Sequence, residues 1–166
     1  MPGAAPTWRA KCDSGQWLAA SEAIAASGGR LGALWTSDEG DASGGYAAHT
    51  LLVAYEGLLW LELPVAAASA GYPDLSAVFP SAKRMQRAAF DLVGLPALAP
   101  DGTRPDDRGW LRHGAWTADT HPLRRDLALD ERLAAGDPRY AFVAVEGDGV
   151  HEIPVGPVHA GTIEPG

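Results

Sequence analysis

Cysteine is nearly absent from this chain: Cys12 is the single one among 166 residues. No intramolecular disulfide can form, and an iron–sulfur cluster, which needs several thiolates, has no ligand set. Asparagine is missing altogether, which removes every N-glycosylation sequon. No apolar run approaches the roughly 20 residues that span a bilayer. The longest, Leu58 to Ala68, is broken by Glu62 and Pro64. Met1 to Ala10 has no apolar core behind a basic start, so no signal peptide is expected. Positive charge is scarce as well, with 13 Lys+Arg against 21 Asp+Glu, a formal net charge of −8 and a pI near 4.9. Basic residues come in pairs such as Arg84 with Arg87 or Arg124 with Arg125, too short to track a phosphate backbone. These absences point to a cytoplasmic protein with no nucleic-acid partner and no direct membrane span.

What is present is ordinary for one globular domain: 46% hydrophobic and 20% charged residues. Residues 1–12, rich in Pro, Gly and Ala, read as a flexible start. Asp13 with Gln16 three positions on has the spacing of a reciprocal helix cap. Trp17, Ala20 and Ile24 then recur at helical spacing, and Gly28-Gly29 ends the helix. Arg30 to Thr36 reads as a strand with Leu31, Ala33 and Trp35 on one face. A polar loop, Ser37 to Gly45, precedes two apolar runs, Ala47–Tyr55 and Leu58–Leu63. They are joined at Glu56-Gly57 as a hairpin and closed by Pro64. Ser81 is placed to cap a second helix with a Met85, Ala88 or Ala89, and Leu92 stripe, stopped by Gly94 and Pro96. From Ala97 to Asp126 no period is visible, and a loop of this length is unusual unless it is functional or pinned. A short helix is predicted over Asp130 to Ala135. A hairpin is predicted from Ala141–Val145 and Val150–Ile153 around Gly147-Asp148-Gly149. The expected fold is α+β: one mixed or antiparallel sheet, helices packed on one face, and a long irregular C-terminal arm. The chain divides into the start at 1–12, an accessory domain at 13–130, and a linker with further strands at 131–166.

The familiar chemistries find little footing. Cys12 sits near Lys11 without the electropositive setting that a reactive thiolate needs. No Gly-x-Ser-x-Gly elbow occurs. His49, His113, His121, His151 and His159 form no cluster at metal-ligand spacing, so no metal site is expected. Ser27-Gly28-Gly29-Arg30-Leu31-Gly32 follows a helix, not a strand, and reads as a helix stop and not a phosphate cradle. His121 with Asp119 or Asp126 can be drawn as an acid–base pair for a small free-standing enzyme. Against it stands a structural reading, in which Arg124, Arg125 and Asp126 make ion pairs that hold the irregular segment in place.

Two stretches carry a resemblance. Tyr72-Pro73, Val78-Phe79-Pro80-Ser81-Ala82, Arg87, Asp91-Leu92-Val93-Gly94-Leu95, Pro105-Asp106-Asp107-Arg108 and His121-Pro122-Leu123-Arg124-Arg125-Asp126 stand in the order of the 30-kDa subunit family of NADH–quinone oxidoreductase. The chain resembles that family over about residues 30–126. The closing hexapeptide is the most specific part and differs from the family's His-Pro-Leu-Arg-Lys-Asp only at Arg125. Gln86-Arg87-Ala88 replaces a Glu-Arg-Glu core, and Val93 stands where an aromatic is usual. The second stretch, Val150 to Gly166, resembles the opening strands of the [NiFe]-hydrogenase-like large subunit of formate hydrogenlyase and related hydrogenases, where both parts share one polypeptide. Glu164 takes the place of a glutamate linked there with proton movement. Gly156-Pro157-Val158-His159-Ala160 departs from the Gly-Pro-Gln-His-Pro opening usual on the quinone branch.

The resemblance implies an assembly and scaffolding domain that binds no cofactor and has no catalytic centre of its own. Its complex would carry iron–sulfur clusters and, on the hydrogenase branch, a nickel–iron centre. The implied partners are a hydrogenase-like large subunit in cis or in trans, an iron–sulfur subunit and membrane-embedded subunits, on the inner face of the cell membrane. On this reading the chain is an amino-terminal piece of a longer fused subunit. The alternative is the accessory subunit of NADH–quinone oxidoreductase itself. Arg87, Asp91, Gly94, Asp106, Arg108, His121, Pro122, Leu123, Arg124, Arg125 and Asp126 are the motif and interface candidates, with Trp110, Leu111 and Trp116 offered to a partner surface or folded back on the sheet.

Overall fold

Asp13 opens the first helix as its spacing to Gln16 implies. The computed structural model describes residues 5–40, 45–69, 71–112, 114–128, 130–136, 146–151, 158–159 and 162–163. In it the Asp13 carboxylate accepts the Gln16 backbone N–H at 2.8 Å, and the Gln16 side chain accepts the Asp13 N–H at 3.0 Å. This reciprocal cap starts α1 (Ser14–Ala26), which ends where Gly28 takes a φ of 81° and Gly29 N–H bonds back to Ile24 O. Trp17 and Ser21 are fully buried on its inner face, with Ala20 and Ile24 beside them.

The predicted hairpin forms from β3 (Gly45–Ala54) and β4 (Gly57–Ala66), paired antiparallel from Ala54↔Gly57 outward, so the two-residue turn is Tyr55-Glu56, one residue earlier than the expected Glu56-Gly57. β2 (Arg30–Asp38) pairs antiparallel on the other side of β3. The start of the chain is not a loose lead-in. Thr7–Lys11 is a strand, β1, parallel to β4 from Thr7↔Leu58 to Lys11↔Glu62. The sheet order is β1-β4-β3-β2, a mixed four-stranded sheet. A five-residue strand whose partner lies beyond a helix and a hairpin has no local signature, which is why the composition of residues 1–12 misled.

Two other expectations are corrected by the register. Pro64 does not close β4; the strand runs through it to Ala66. Cys12 N–H bonds to Glu62 O, so Glu62 and, two residues on, Pro64 face the β1 side, where β1 has already ended. No neighbour there asks for the N–H that proline lacks. In β2 a register shift between Leu31 and Ala33 breaks the alternation at Gly32. Leu31, Leu34 and Thr36 therefore point into the core, and Trp35 turns to the opposite face.

The second helix, α2 (Ala82–Val93), lies against β2, and α1 lies against β3 and β4, both on one face of the sheet. Trp17, Leu34, Leu52, Leu61, Leu63, Tyr72, Leu75, Phe79 and Ala89 form the single core between them. Ser81 sits at the cap position of α2 but makes no side-chain capping bond, contrary to expectation, while Gly94 ends the helix in the left-handed conformation at φ 81°. A minimal parallel pair, β5 (Tyr72–Pro73) with β6 (Ala97–Leu98), ties the segment before α2 to the one after it. Residues 99–112 and 114–128 then run as turns and extended chain. Asp130 to Ala135 is not helical; only a turn from Glu131 N–H to Ala128 O forms. The hairpin expected from Ala141–Val145 falls outside the described residues, although Val150 N–H does turn back to Gly147 O. Val158–His159 (β7) and Thr162–Ile163 (β8) pair antiparallel.

Candidate functional site

α2 buries two sides, and the second is the base of the candidate site. Ala82, Ala89 and Val93 are buried on one side, where Gln86 accepts the Leu75 N–H and donates to Asp74, while Arg87, Phe90 and Asp91 face residues 104–123. Asp91 is 1% exposed, and one carboxylate oxygen accepts the backbone N–H groups of Trp110 and Leu111 at 2.6 and 2.7 Å. Arg112 Nε lies 3.9 Å from the other oxygen. Arg87, one turn earlier, donates to the carbonyls of Arg108 and Gly109 at 2.9 and 2.5 Å. The helix thus holds the arm by its main chain, through one anionic and one cationic side chain that satisfy groups no strand partner supplies. Trp110 closes this contact between the Arg84 and Arg87 guanidinium groups, 5.1 and 5.2 Å from its ring.

Asp106 and Arg108 form a two-pronged pair, Nε to Oδ1 at 2.9 Å and the terminal nitrogen to Oδ2 at 2.7 Å, with Arg87 Nε 3.8 Å away. The Asp106 carboxyl is held down to about 2, first by the Arg108 side-chain bonds and against the opposing effect of desolvation. Its folded value lies below its unfolded one, so the unfolded chain takes up the proton first. The pair's contribution is complete above about pH 4 and disappears as pH falls toward 2. A carbon-detected NMR titration is expected to give an Asp106 midpoint near 2, with residues 104–112 responding in the same window. A midpoint in the ordinary range near 4 would refute the pairing.

The closing hexapeptide lands on the end of α2 and then on the sheet. His121 Nδ1 lies 3.3 Å from Asp91 O and, since a carbonyl only accepts, carries the proton. The ring packs edge-on to Phe90, centroids 5.3 Å apart, and lies over Gly94. Pro122 is partly covered, and Leu123 N–H caps the helix at Leu92 O, 2.9 Å, with its side chain 58% exposed. Arg124 hydrogen-bonds to the Tyr46 hydroxyl, covers its ring, and lies 3.6 Å from Asp126. Arg125 N–H bonds to Asp38 Oδ2 at 3.0 Å, and its stem crosses Gly40. Among the described residues no hydrogen bond or ion pair joins His121 to Asp126; the acid–base pair is not assembled. Asp119 is held below its ordinary range first by the Thr117 hydroxyl. Glu164 lies outside the described residues.

The uncovered face of the sheet carries a cluster that no local pattern revealed. Trp35, His49 and Glu62 fall in one cross-strand row, with Trp60 diagonal to it. Trp60 Nε1–H points at His49 Nδ1, 3.3 Å, and His49 Nε2 lies 2.9 Å from Ser37 Oγ, which bonds to Glu39. Trp35 stacks on the His49 ring at 5.0 Å, Arg9 covers Trp60 at 4.3 Å, and Glu62 pairs with Arg9 and Lys11. Burial pushes His49 below its ordinary value, opposed by the Glu62 charge. With a donor already aimed at Nδ1, the neutral ring is the form that fits. Register arithmetic over Trp35 and His49, available only once the bulge is known, is the signal that finds this row.

The chemistry of these groups fits neither a cluster nor a metal. Cys12 donates toward Glu62 O at 3.6 Å and its thiol is pushed up by burial, away from the thiolate that ligates iron. Among the described residues no three His, Cys, Asp or Glu side chains converge as metal ligands, and no helix is long and apolar enough to cross a membrane. The sequence matches a family model described as "Respiratory-chain NADH dehydrogenase, 30 Kd subunit" over residues 10–133, from β1 through the arm. Hydrogenase-4 component G of Escherichia coli (strain K12) is 34% identical over 150 residues, covering 83% of this chain and 25% of that protein. The chain therefore spans about a quarter of the length of this relative.

Proposed function

The chain belongs to the respiratory-chain NADH dehydrogenase 30-kDa subunit family, and from that premise we propose that it is an accessory, scaffolding domain of a hydrogenase or NADH–quinone-type oxidoreductase complex. It docks the catalytic large subunit, in cis or in trans, and contacts an iron–sulfur subunit. The observation that carries this reading is the arm. Among the described residues of 104–126 the His121–Asp126 pair is not assembled, yet the segment is fastened to α2 and the sheet through Asp91, Arg87, Leu92, Asp38 and Tyr46. On their outer side Leu111 and Leu123 are 42% and 58% exposed, and the buried Trp116 indole N–H has no partner among the described residues. A segment tied to the domain by its main chain that shows apolar side chains to solvent suits a protein interface. Trp110 is not part of that offer, since it is spent on the protein's own helix.

The electron-carrying groups belong, in this proposal, to the partner polypeptides, because the sequence has one cysteine and no ligand cluster forms among the described residues. The complex sits on the cytoplasmic face of the membrane through other subunits. The name of the relative, a hydrogenase component, supports the hydrogenase branch over the quinone branch. The test is isolation of the native protein from solubilised membranes with an antibody against residues 5–128. Co-elution with a catalytic large subunit and an iron–sulfur subunit is expected, with nickel on the hydrogenase branch. A large assembly without nickel would move the protein to the quinone branch. A soluble protein recovered alone, with an activity lost in His121→Ala, would overturn the assembly reading.

A further inference from the structure

Charge is distributed unevenly along this acidic chain. Residues 83–112 carry six basic side chains against four acidic ones, while the rest of the chain carries seven basic against seventeen acidic. The basic excess gathers where α2 meets the first part of the arm. A cleft there is lined by Lys83, Gln86, Arg87, Phe90, Arg104 and Asp106. Arg87 and Asp106 are engaged with each other and with Arg108. Lys83 and Arg104 have no carboxylate within ion-pair distance among the described residues. The Arg104 guanidinium carbon lies over the Phe90 ring, 3.6 Å from its centre, and Arg84, on the same helix as Phe90, lies over Trp110.

We propose that this cleft is an oxyanion anchor that takes a carboxylate side chain from an acidic peptide segment of a partner protein. The inference rests on the reading of the chain as an assembly domain and names the chemistry of one docking contact. The contact with Phe90 holds the Arg104 guanidinium, and among the described residues no hydrogen bond takes up its N–H groups, which leaves them for a two-pronged bond to an oxyanion. Desolvation pulls Arg104 below its ordinary range, and a bound anion reverses that effect. The cleft is narrow and takes one carboxylate, not a whole metabolite. Arg84 and Lys83 extend the positive surface along the helix for flanking acidic residues. The rest of the chain, with seventeen acidic side chains against seven basic, disfavours an acidic segment on balance, so the patch biases where such a segment lands.

The test is an NMR titration of the 166-residue chain with a capped hexaglutamate peptide at about 0.15 M salt, where surface charges are screened beyond about 8 Å. A hexaglutamine peptide is the control and inorganic phosphate the competitor. Saturable shifts are expected at Arg104 Nε–H and the Phe90 ring, absent with hexaglutamine. Affinity is expected to fall about tenfold or more in the Lys83→Gln/Arg104→Gln double variant, one decade being the loss of about 1.4 kcal/mol. Both positions are at the surface of the helix and arm, and the amide spectrum reports whether the variant is folded. Arg104→Lys, which keeps the charge and loses the planar fork, is expected to fall between the two. No saturable binding, equal binding by a folded double variant, or displacement by phosphate at the peptide's own concentration overturns the proposal, the last in favour of a free-anion site. The catalytic subunit takes no part in the titration. Failure here leaves co-elution of the native complex untouched, and failure of co-elution leaves the titration readable.

Discussion

Replacing Asp91 with alanine is expected to cost about 3 kcal/mol of stability and to release the arm from α2. The carboxylate is buried and holds the N–H groups of Trp110 and Leu111 from one oxygen. Alanine leaves both donors without a partner, and the segment either strands them in the protein or peels away to reach water. For a domain of this size the loss corresponds to about 10 °C in Tm. Hydrogen exchange locates it: protection at residues 104–123 falls in Asp91→Ala while the β2–β3–β4 amides keep theirs. Asp91→Asn retains one carbonyl oxygen at the site and is expected to recover part of the loss. If Asp91→Ala melts like the parent and the arm amides stay protected, the carboxylate is not what fastens the arm. Co-elution with the large subunit is expected to weaken in step with the exchange change.

The second large effect is expected at Gly94, and it separates backbone strain from a steric contact. Gly94 has φ 81°, and a Cβ built on it would meet His121 Cδ2 at 2.5 Å and Nε2 at 2.7 Å. Gly94→Ala therefore carries two costs. One is the left-handed conformation of a residue with a side chain, about 1 kcal/mol. The other is displacement of the His121 ring from Phe90 and from the Asp91 carbonyl, a further 1–2 kcal/mol or about that. His121→Ala removes the second cost, so in that background Gly94→Ala is expected to lose only about 1 kcal/mol. The double-mutant cycle should then show a coupling of about 1 kcal/mol or more, read from urea midpoints at constant m. Additive losses would mean that His121 yields freely and that the glycine serves the helix end alone. The same cycle asks what the histidine does. A ring that acts as a wedge against Gly94 is expected to be replaced tolerably by phenylalanine only after the contact is widened elsewhere.

Much of the fold was legible because its signals are local. The Asp13–Gln16 cap, the Gly28-Gly29 and Gly94 helix stops, and the two-residue turn between apolar runs each depend on hydrogen bonds within a few residues. A short window contains all the information such elements need. The family motif was legible for a different reason: its residues recur in order along the chain, whatever they touch. Even Arg87, Asp91 and His121 could be named as candidates without knowing that they meet.

What they do was decided by tertiary structure. Asp91 stands in the family motif, but its task appears only when the arm folds over it and gives its carboxylate two backbone donors. His121 and Gly94 are separate features of the sequence that become one contact. His121 and Asp126, plausible partners by spacing, are drawn apart because Arg124 takes Asp126 and the helix end takes His121. The bulge at Gly32 reverses which β2 residues face the core and so creates the Trp35–His49 row. β1 exists only because β4 offers it an edge. In each case the deciding partner is far away in the chain, and its identity follows from register and chain closure. Neither can be read from the periodicity of a single segment. The sequence alone settled the Asp13–Gln16 cap, the glycine helix stops, the scarcity of thiol ligands and the family signature; the packing of distant segments settled which of the charged residues hold the arm.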